Sequence, residues 1–306
     1  MINYNSKNWM EGISHFRSSY IIRKTLRSVL FVGAYTALVI LIIDFLPFEV
    51  QIDAVVFSLL GIFLSLLMSF RNSTAYDRYW EGRKQWGALI NHTRGLAVII
   101  NGIFSQNEVQ KAFYARSISA YVHALSEHLR DKEAHEVIKT YSDIPEEKLM
   151  AIRHVPNKIV NDMYARAESL FRDGFIEPAH LRNIKEETQS FLDIQGACER
   201  IKATPIPFSY NFFIKLFISV YVVSMPFVLA PAVMYYAIPV TMFVAYALIG
   251  LEYISVEIEE PFGLDCNDLP TLQLANKIEG NVHEILEVEL THPIKRQPAE
   301  NYMVIN

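Results

Sequence analysis

Three long segments of the chain contain no charged residue, and this pattern restricts the possible folds most strongly. They cover residues 28–43, 54–70 and 216–251. A helix needs roughly 20 residues to cross a bilayer, and about 17 suffice. The first two segments are short alone, but polar flanking residues such as Thr25 and Gln51 can extend them, so each predicts one span. The third segment is about twice as long, and it predicts two spans that reverse direction at residues 230–232. We therefore predict an all-α membrane protein with four transmembrane helices in two pairs.

The composition agrees with a membrane protein and excludes several other classes. Mean hydropathy is +0.17, with 51% apolar and only 20% charged residues. The net charge of −5 argues against nucleic-acid binding, which requires a basic surface. Two cysteines exclude a disulfide framework or a cysteine-rich metal site. The first apolar run begins only at residue 28 and lacks a cleavage pattern, so it predicts a retained helix rather than a signal peptide.

The distribution of basic residues predicts the orientation in the plasma (inner) membrane. Residues 1–27 carry five Lys or Arg and one acid, whereas residues 44–53 carry three acids and no base. The positive-inside rule then places both termini in the cytoplasm. The predicted organisation is a cytoplasmic segment over 1–27, helices one and two over 28–70, a helical cytoplasmic domain over 71–212, helices three and four over 213–252, and an acidic cytoplasmic tail over 253–306.

Span two carries an apolar stripe and has no local stop signal. Ile62, Leu66 and Phe70 are spaced four residues apart, which places them on one face of a helix. From residue 62 to residue 81 there is no Gly or Pro, so we expect this helix to continue into the cytoplasm as far as Ile99. On spacing alone the stripe is more typical of helix packing or lipid contact than of a ring around a pore.

The sequence offers no constellation for catalysis. It contains no glycine-rich phosphate loop, no G-x-S-x-G and no H-E-x-x-H, so we predict that the protein is not an enzyme. His123, Glu127 and His128 could share one helix face. We interpret them as an ordinary polar face rather than as a zinc site.

Several collinear motifs resemble the bestrophin family, specifically its prokaryotic members, and the resemblance covers nearly the whole chain. The motifs are SLLG at 58–61, FRN at 70–72, YDR at 76–78, RKQWG at 83–87, GACER at 196–200, TPIPFSY at 204–210, EPFG at 260–263 and NDLP at 267–270. The resemblance implies a homopentamer around one central pore, with other copies of the chain, the lipid bilayer and permeant ions as its partners.

The resemblance also implies roles for individual residues. It places the pore neck on Ile62, Leu66 and Phe70. With the resemblance, a hydrophobic constriction formed by five copies becomes the preferred interpretation of the stripe. A second, cytoplasmic constriction falls on Ala179, followed by His180. Relatives tend to carry a larger aliphatic residue there, so we expect a wider aperture in this protein.

Eukaryotic relatives bind calcium just after the motif that corresponds to residues 260–263. Asp265 and Asp268 stand at similar offsets here, and carboxylate oxygens suit Ca²⁺. These side chains cannot supply a full coordination shell without backbone oxygens, so we prefer to interpret them as a polar turn on the acidic tail. We expect that no cofactor is required and that Ca²⁺ is the one candidate.

The resulting hypothesis is a channel that passes small monovalent ions passively. The family implies chloride conduction, but Glu49 and Asp53 would give the outer mouth a negative ring that favours cations. A transporter and a membrane-anchored scaffold or sensor are the alternatives. The absence of charges within the spans disfavours a transporter.

Overall fold

The structure, a computed structural model, describes residues 20–45, 53–132, 152–265 and 267–289. Every regular element within these ranges is helical, as predicted. The helices are α1 (Tyr20–Phe45), α2 (Ala54–Ile103), α3 (Glu108–Leu129), α4 (Val155–Arg172), α5 (Pro178–Ala203), α6 (Phe208–Val233), α7 (Ala237–Glu259) and α8 (Thr271–Leu286), with a 3₁₀ turn at Met234–Tyr236.

These helices form two compact units. The apolar unit consists of the described residues of Tyr4–Tyr79 together with Pro205–Glu260. The polar unit consists of Trp80–Thr204 and the described residues from Pro261 onward. The predicted domain limits refer to the faces of a membrane rather than to packing, so they stay a prediction.

Within the residues that the structure describes, three segments, rather than the predicted four, are long and apolar enough to cross a membrane. They are Arg23–Phe45, Ala54–Ile103 and Phe208–Glu259. The prediction of four separate spans was wrong in its count because the third segment is 52 residues long and is interrupted only by the 3₁₀ turn between α6 and α7.

Helices α6 and α7 pack against each other in antiparallel directions. One core cluster brings Ile214 and Ile218 near the start of α6 together with Ala245, which lies two turns into α7. A second cluster joins Ala230 near the end of α6 to Ala237 at the start of α7. Leu64 and Met68 of α2 complete the first cluster, against which Val32 of α1 packs, and Ile40 of α1 completes the second. The apolar unit is therefore a bundle of four helical stretches.

The reversal between α6 and α7 lies slightly later than the sequence predicted. We expected the turn at residues 230–232, but α6 contains Pro231 and continues to Val233. The chain leaves the helix at Met234, where φ is +47°, a value that a right-handed helix does not tolerate. A proline inside a helix removes one hydrogen bond without ending the helix when neighbouring helices pack against it.

Close helix packing depends on two glycines in the apolar unit. A Cβ at Gly33 would lie 2.7 Å from the Met242 sulfur, and a Cβ at Gly61 would lie 2.6 Å from the Tyr221 hydroxyl oxygen. Both distances are shorter than van der Waals contact, so a larger residue at either position would require the Met242 or the Tyr221 side chain to move.

Helix α2 is much longer than the apolar run that begins it. It extends over 50 residues, which corresponds to about 75 Å at 1.5 Å per residue. The predicted continuation beyond Arg71 is therefore confirmed, and the helix ends four residues after the expected Ile99.

The polar unit has a conventional apolar core, which includes Trp86, Leu96 and Phe191. In the sequence Pro145, Pro156 and Pro178 predict helix starts or joints. Pro156 and Pro178 occupy the first turns of α4 and α5, as predicted, and Pro145 lies outside the described residues. In this core the Tyr121 hydroxyl donates to the Phe191 carbonyl oxygen at 2.7 Å.

Candidate functional site

The apolar stripe of α2 is exposed along its length. Ile62, Leu66 and Phe70 keep 68%, 52% and 58% of their side-chain surface exposed. The stripe is therefore not buried inside this chain's own helical bundle. The remaining possibilities are contact with lipid, with another subunit, or with the axis of a pore.

The opposite face of the same helix anchors α2 in the bundle. Leu64 and Met68 are buried in the core with α6 and α7, and Arg71 and Ala75 continue that buried face. These residues follow at helical spacings of four and three, about half a turn away from the stripe. The packing of one face thus determines the direction in which the other face points.

The start of α2 carries the only predicted outer-mouth residue that the structure describes. Asp53 is exposed, and its Oδ1 accepts hydrogen bonds from the backbone N–H groups of Val55 at 2.7 Å and Val56 at 3.2 Å. It is the N-cap of the helix. Glu49 lies outside the described residues, so the proposed negative ring stays a prediction.

A buried cluster of charges lies directly after the stripe, and sequence reasoning missed it. Arg71 is fully buried, and its Nη2 donates to Glu259 Oε2 at 2.7 Å. Its Nε lies 3.8 Å from Glu252 Oε2, and Lys215 Nζ lies 3.9 Å from the other Glu252 oxygen. The signal was present in the sequence, because Arg71 and Glu252 are the charges that end two of the apolar windows.

The backbone supports this cluster from two sides. Glu259 Oε1 accepts a hydrogen bond from the Ile206 backbone N–H at 2.8 Å, and the Glu259 carbonyl oxygen accepts one from Arg78 Nε at 3.0 Å. The cluster links the middle of α2 to the end of α7. Because Phe70 immediately precedes Arg71, this linkage fixes the rotation of the helix at the end of the stripe.

The predicted cytoplasmic aperture lies at the start of α5. Ala179 is exposed in the first turn. His180 Nδ1 accepts a hydrogen bond from the Glu177 backbone N–H at 3.4 Å, which caps the helix. His180 therefore has a local structural role, and the methyl group of Ala179 is free to face an aperture if one forms between subunits.

Asp265 and Asp268 form a turn rather than a pair of parallel ligands. The Asp265 backbone N–H donates to Asp268 Oδ2 at 2.6 Å, and the Asp268 N–H donates back to the Asp265 carbonyl oxygen at 3.1 Å. Asp268 is buried and interacts electrostatically with Arg130, whereas Asp265 is exposed. Calcium binding at these residues stays a prediction.

The histidines of α3 do not form the shared face that the sequence suggested. His123 Nε2 contacts Glu279 in α8 at 3.0 Å, and His128 Nε2 contacts Glu199 in α5 at 3.1 Å. His154, at the N-cap of α4, contacts the same Glu199 oxygen at 3.1 Å. Burial, and then the neighbouring His154, lower the pKa of His128.

The thiol of Cys198, in the polar unit, is buried in apolar surroundings. Burial raises its pKa to about 12, so the thiol stays protonated and does not act as a nucleophile at neutral pH.

Comparison with protein families and with individual proteins identifies relatives over most of the chain. Residues 1–284 match the family described as Bacterial/Fungal Bestrophin protein. A voltage-dependent anion channel-forming protein of Mesorhizobium japonicum is 32% identical over 246 residues, which cover 80% of this chain and 78% of that protein. A voltage-dependent anion channel-forming protein of Escherichia coli K12 is 25% identical over 305 residues, which cover 99% of this chain and 100% of that protein.

Solved structures show the same fold. A bacterial bestrophin homologue from Klebsiella pneumoniae superimposes with a TM-score of 0.81 at 23% identity, over 87% of this chain and 99% of that one. A second structure, described only as a membrane protein, gives a TM-score of 0.82 at 23% identity, over 87% and 99% of the two chains.

Proposed function

Because the chain belongs to the bacterial and fungal bestrophin family, we propose that it is one subunit of a membrane channel that passes small monovalent ions down their gradient. The exposed apolar stripe of α2 is the observation that carries this proposal. A stripe that its own bundle leaves uncovered is available to line an axis shared by several copies. The similar proteins are named as channel formers and not as enzymes.

The membrane topology that we propose rests on the three apolar segments, the third of which folds back on itself between α6 and α7. Helices α6 and α7 have 26 and 23 residues, and each is long enough to cross the roughly 30 Å hydrocarbon layer. Their antiparallel packing favours a hairpin that enters and leaves on the same side. With the basic N-terminal residues inside, both termini lie in the cytoplasm of a cell whose plasma membrane holds the protein.

The pore that we propose requires a closed ring of subunits, and the resemblance to bestrophins favours five. One copy of α2 cannot enclose a water-filled path. Five copies of Ile62, Leu66 and Phe70 around an axis would make an apolar neck that controls ion passage by losing or gaining water. Ala179 would line a second, wider aperture on the cytoplasmic side.

For the charge of the permeant ion the proposal has two candidates, an anion and a cation. The names of the relatives favour anions. Asp53 favours cations, because it is an exposed carboxylate at the start of α2 and Glu49 would add a second charge in each subunit. The reversal potential under a KCl gradient decides between them. Replacing Asp53 with Asn keeps a capping side chain and removes the charge, so this variant shifts the reversal potential toward anions if Asp53 faces the permeation path.

Reconstitution into liposomes tests the channel function itself. We expect flux that is fast, needs no second substrate and reverses when the ion gradient is reversed. A transporter would instead show saturation and coupling to a co-substrate, and a scaffold or sensor would show no flux above that of empty liposomes. Either of these two results would contradict the proposal.

A further inference from the structure

Three potential metal ligands converge in the polar unit, on three different helices. His128 lies near the end of α3, His154 caps the start of α4, and Glu199 lies in the last part of α5. One nitrogen or oxygen atom from each residue lies within 4.8 Å of the other two. Both histidine Nε2 atoms are 3.1 Å from the same carboxylate oxygen, Glu199 Oε1.

We propose that His128, His154 and Glu199 bind a divalent transition-metal ion, with Zn²⁺ as the preferred ion. Zinc binds histidine nitrogen and carboxylate oxygen at about 2.0–2.2 Å in tetrahedral geometry, which separates neighbouring ligand atoms by about 3.4 Å. The nitrogen-to-oxygen distances of 3.1 Å are already close to this separation. Imidazole with one carboxylate selects zinc and similar ions over Ca²⁺ or Mg²⁺, which prefer oxygen ligands alone.

The burial of the three side chains fits a site with one open coordination position. About a third of each ligand side chain is exposed, with values of 32% for His128, 33% for His154 and 34% for Glu199. Water can therefore reach the ion and supply a fourth ligand. Three protein ligands plus water is a recurrent arrangement for zinc in proteins.

A buried neighbour holds the carboxylate in position. Gln195 is 3% exposed, and its Nε2 donates to Glu199 Oε1 at 3.0 Å and to Asn157 Oδ1 at 2.7 Å. Residues that orient a metal ligand in this way commonly determine much of the affinity. Gln195 is therefore a positioning residue of the proposed site.

Metal binding requires a definite change in the hydrogen bonds of the two histidines. In the metal-free arrangement the contacts place each Nε2 atom where it can donate a proton to Glu199 Oε1. An Nε2 atom that binds metal must offer its lone pair, so the proton of each ring moves to Nδ1. His154 Nδ1 then stops accepting from the Asn157 backbone N–H, a contact that is long at 3.4 Å.

Other histidine–carboxylate contacts in the described part of the chain provide a comparison. His92 Nδ1 contacts Glu187 at 2.8 Å, and His123 Nε2 contacts Glu279 at 3.0 Å. Each of these contacts brings one histidine to one carboxylate. Only the group at Glu199 supplies three ligand side chains among the residues that the structure describes.

Cobalt titration of the full-length protein tests the proposal without any measurement of conduction. Tetrahedral Co²⁺ absorbs visible light far more strongly than the hydrated octahedral ion. We expect chelator-treated protein in detergent to bind Co²⁺ saturably, with one ion per chain and a tetrahedral spectrum, and we expect Zn²⁺ to displace it. His154→Ala and Glu199→Ala should abolish the signal, and Gln195→Ala should weaken binding about 10- to 100-fold.

His92→Ala is the matched control, because it removes a histidine from an isolated histidine–carboxylate pair. It should keep the full cobalt signal. If His154→Ala is too unstable to purify, His128→Asn makes the same test. A hydrated spectrum with the wild-type protein, equal loss of signal in the His92 variant, or full retention in either ligand variant would overturn the proposal.

Discussion

Arg71 and Glu259 are 188 positions apart in the sequence, and they form a buried ion pair with 2.7 Å between Nη2 and Oε2. Arg71 directly follows the last residue of the apolar stripe, and Glu259 is the last residue of α7. Removing one partner of a pair this deeply buried would leave an uncompensated charge in the interior. The pair therefore couples the orientation of the stripe to the packing of the other apolar helices.

Glu259→Gln should lower the thermal stability of the protein markedly. The substitution leaves the Arg71 charge buried beside a neutral amide, and breaking a buried pair in this way costs about 3–5 kcal/mol. The neighbouring exposed carboxylate, Glu260, provides the control, because Glu260→Gln should leave the melting temperature nearly unchanged. Equal melting temperatures for the two variants would show that the pair does not stabilise the fold.

The turn at Asp265 and Asp268 makes a prediction that separates a structural role from calcium binding. Asp268→Ala removes the acceptor for the Asp265 N–H and should lower the melting temperature with or without Ca²⁺. Asp265→Ala keeps that N–H and should have little effect. If Ca²⁺ binds to both carboxylates, Ca²⁺ should instead raise the melting temperature of the wild-type protein, and each variant should lose that increase.

A larger side chain at the start of α5 should reduce conduction. If Ala179 faces a cytoplasmic aperture, Ala179→Leu narrows that aperture in every subunit and lowers the single-channel current in planar bilayers. Ala203→Leu is the control, because Ala203 is also exposed but lies at the other end of the same helix. A current that is equally reduced in both variants would remove Ala179 from the permeation path.

The mass of the assembled protein should correspond to five chains. Five chains of 35.2 kDa give about 176 kDa of protein. Light scattering that separates the protein mass from the detergent mass measures this value directly. A monomer or dimer that still conducts ions would contradict the central pore, because so few copies of α2 cannot surround an axis.

Much of the fold could be predicted from patterns among residues that are close together in the sequence. The charge-free windows predicted the apolar helices, and Pro156 and Pro178 predicted two helix starts because a proline fits the first turn. The stripe at Ile62, Leu66 and Phe70 was visible from spacing, but its exposure was not. Exposure depends on which face of α2 the other helices cover, and that is a property of the folded bundle.

The contacts that the sequence did not reveal are long-range pairings. Helical spacing grouped His128 with His123 and Glu127, whereas the folded chain brings His128 to Glu199, 71 positions away. The reversal near Pro231 was placed too early because surrounding helices hold α6 together past the proline. Spacing cannot predict contacts in the closed ring that we propose, because each interface of such a ring joins two different patches of the chain.

The most direct measurement of the central claim is the single-channel current of neck variants in planar bilayers. If the stripe of α2 lines the pore, replacing Ile62, Leu66 and Phe70 with Ala should increase open probability or current, because a wider and less apolar neck stays hydrated. Leu66→Asp should also shift selectivity toward cations. Leu64→Ala, on the buried face, should lower stability by about 2–5 kcal/mol and leave the current unchanged. Currents in the stripe variants that match the wild-type protein would contradict the claim that this face of α2 forms the pore.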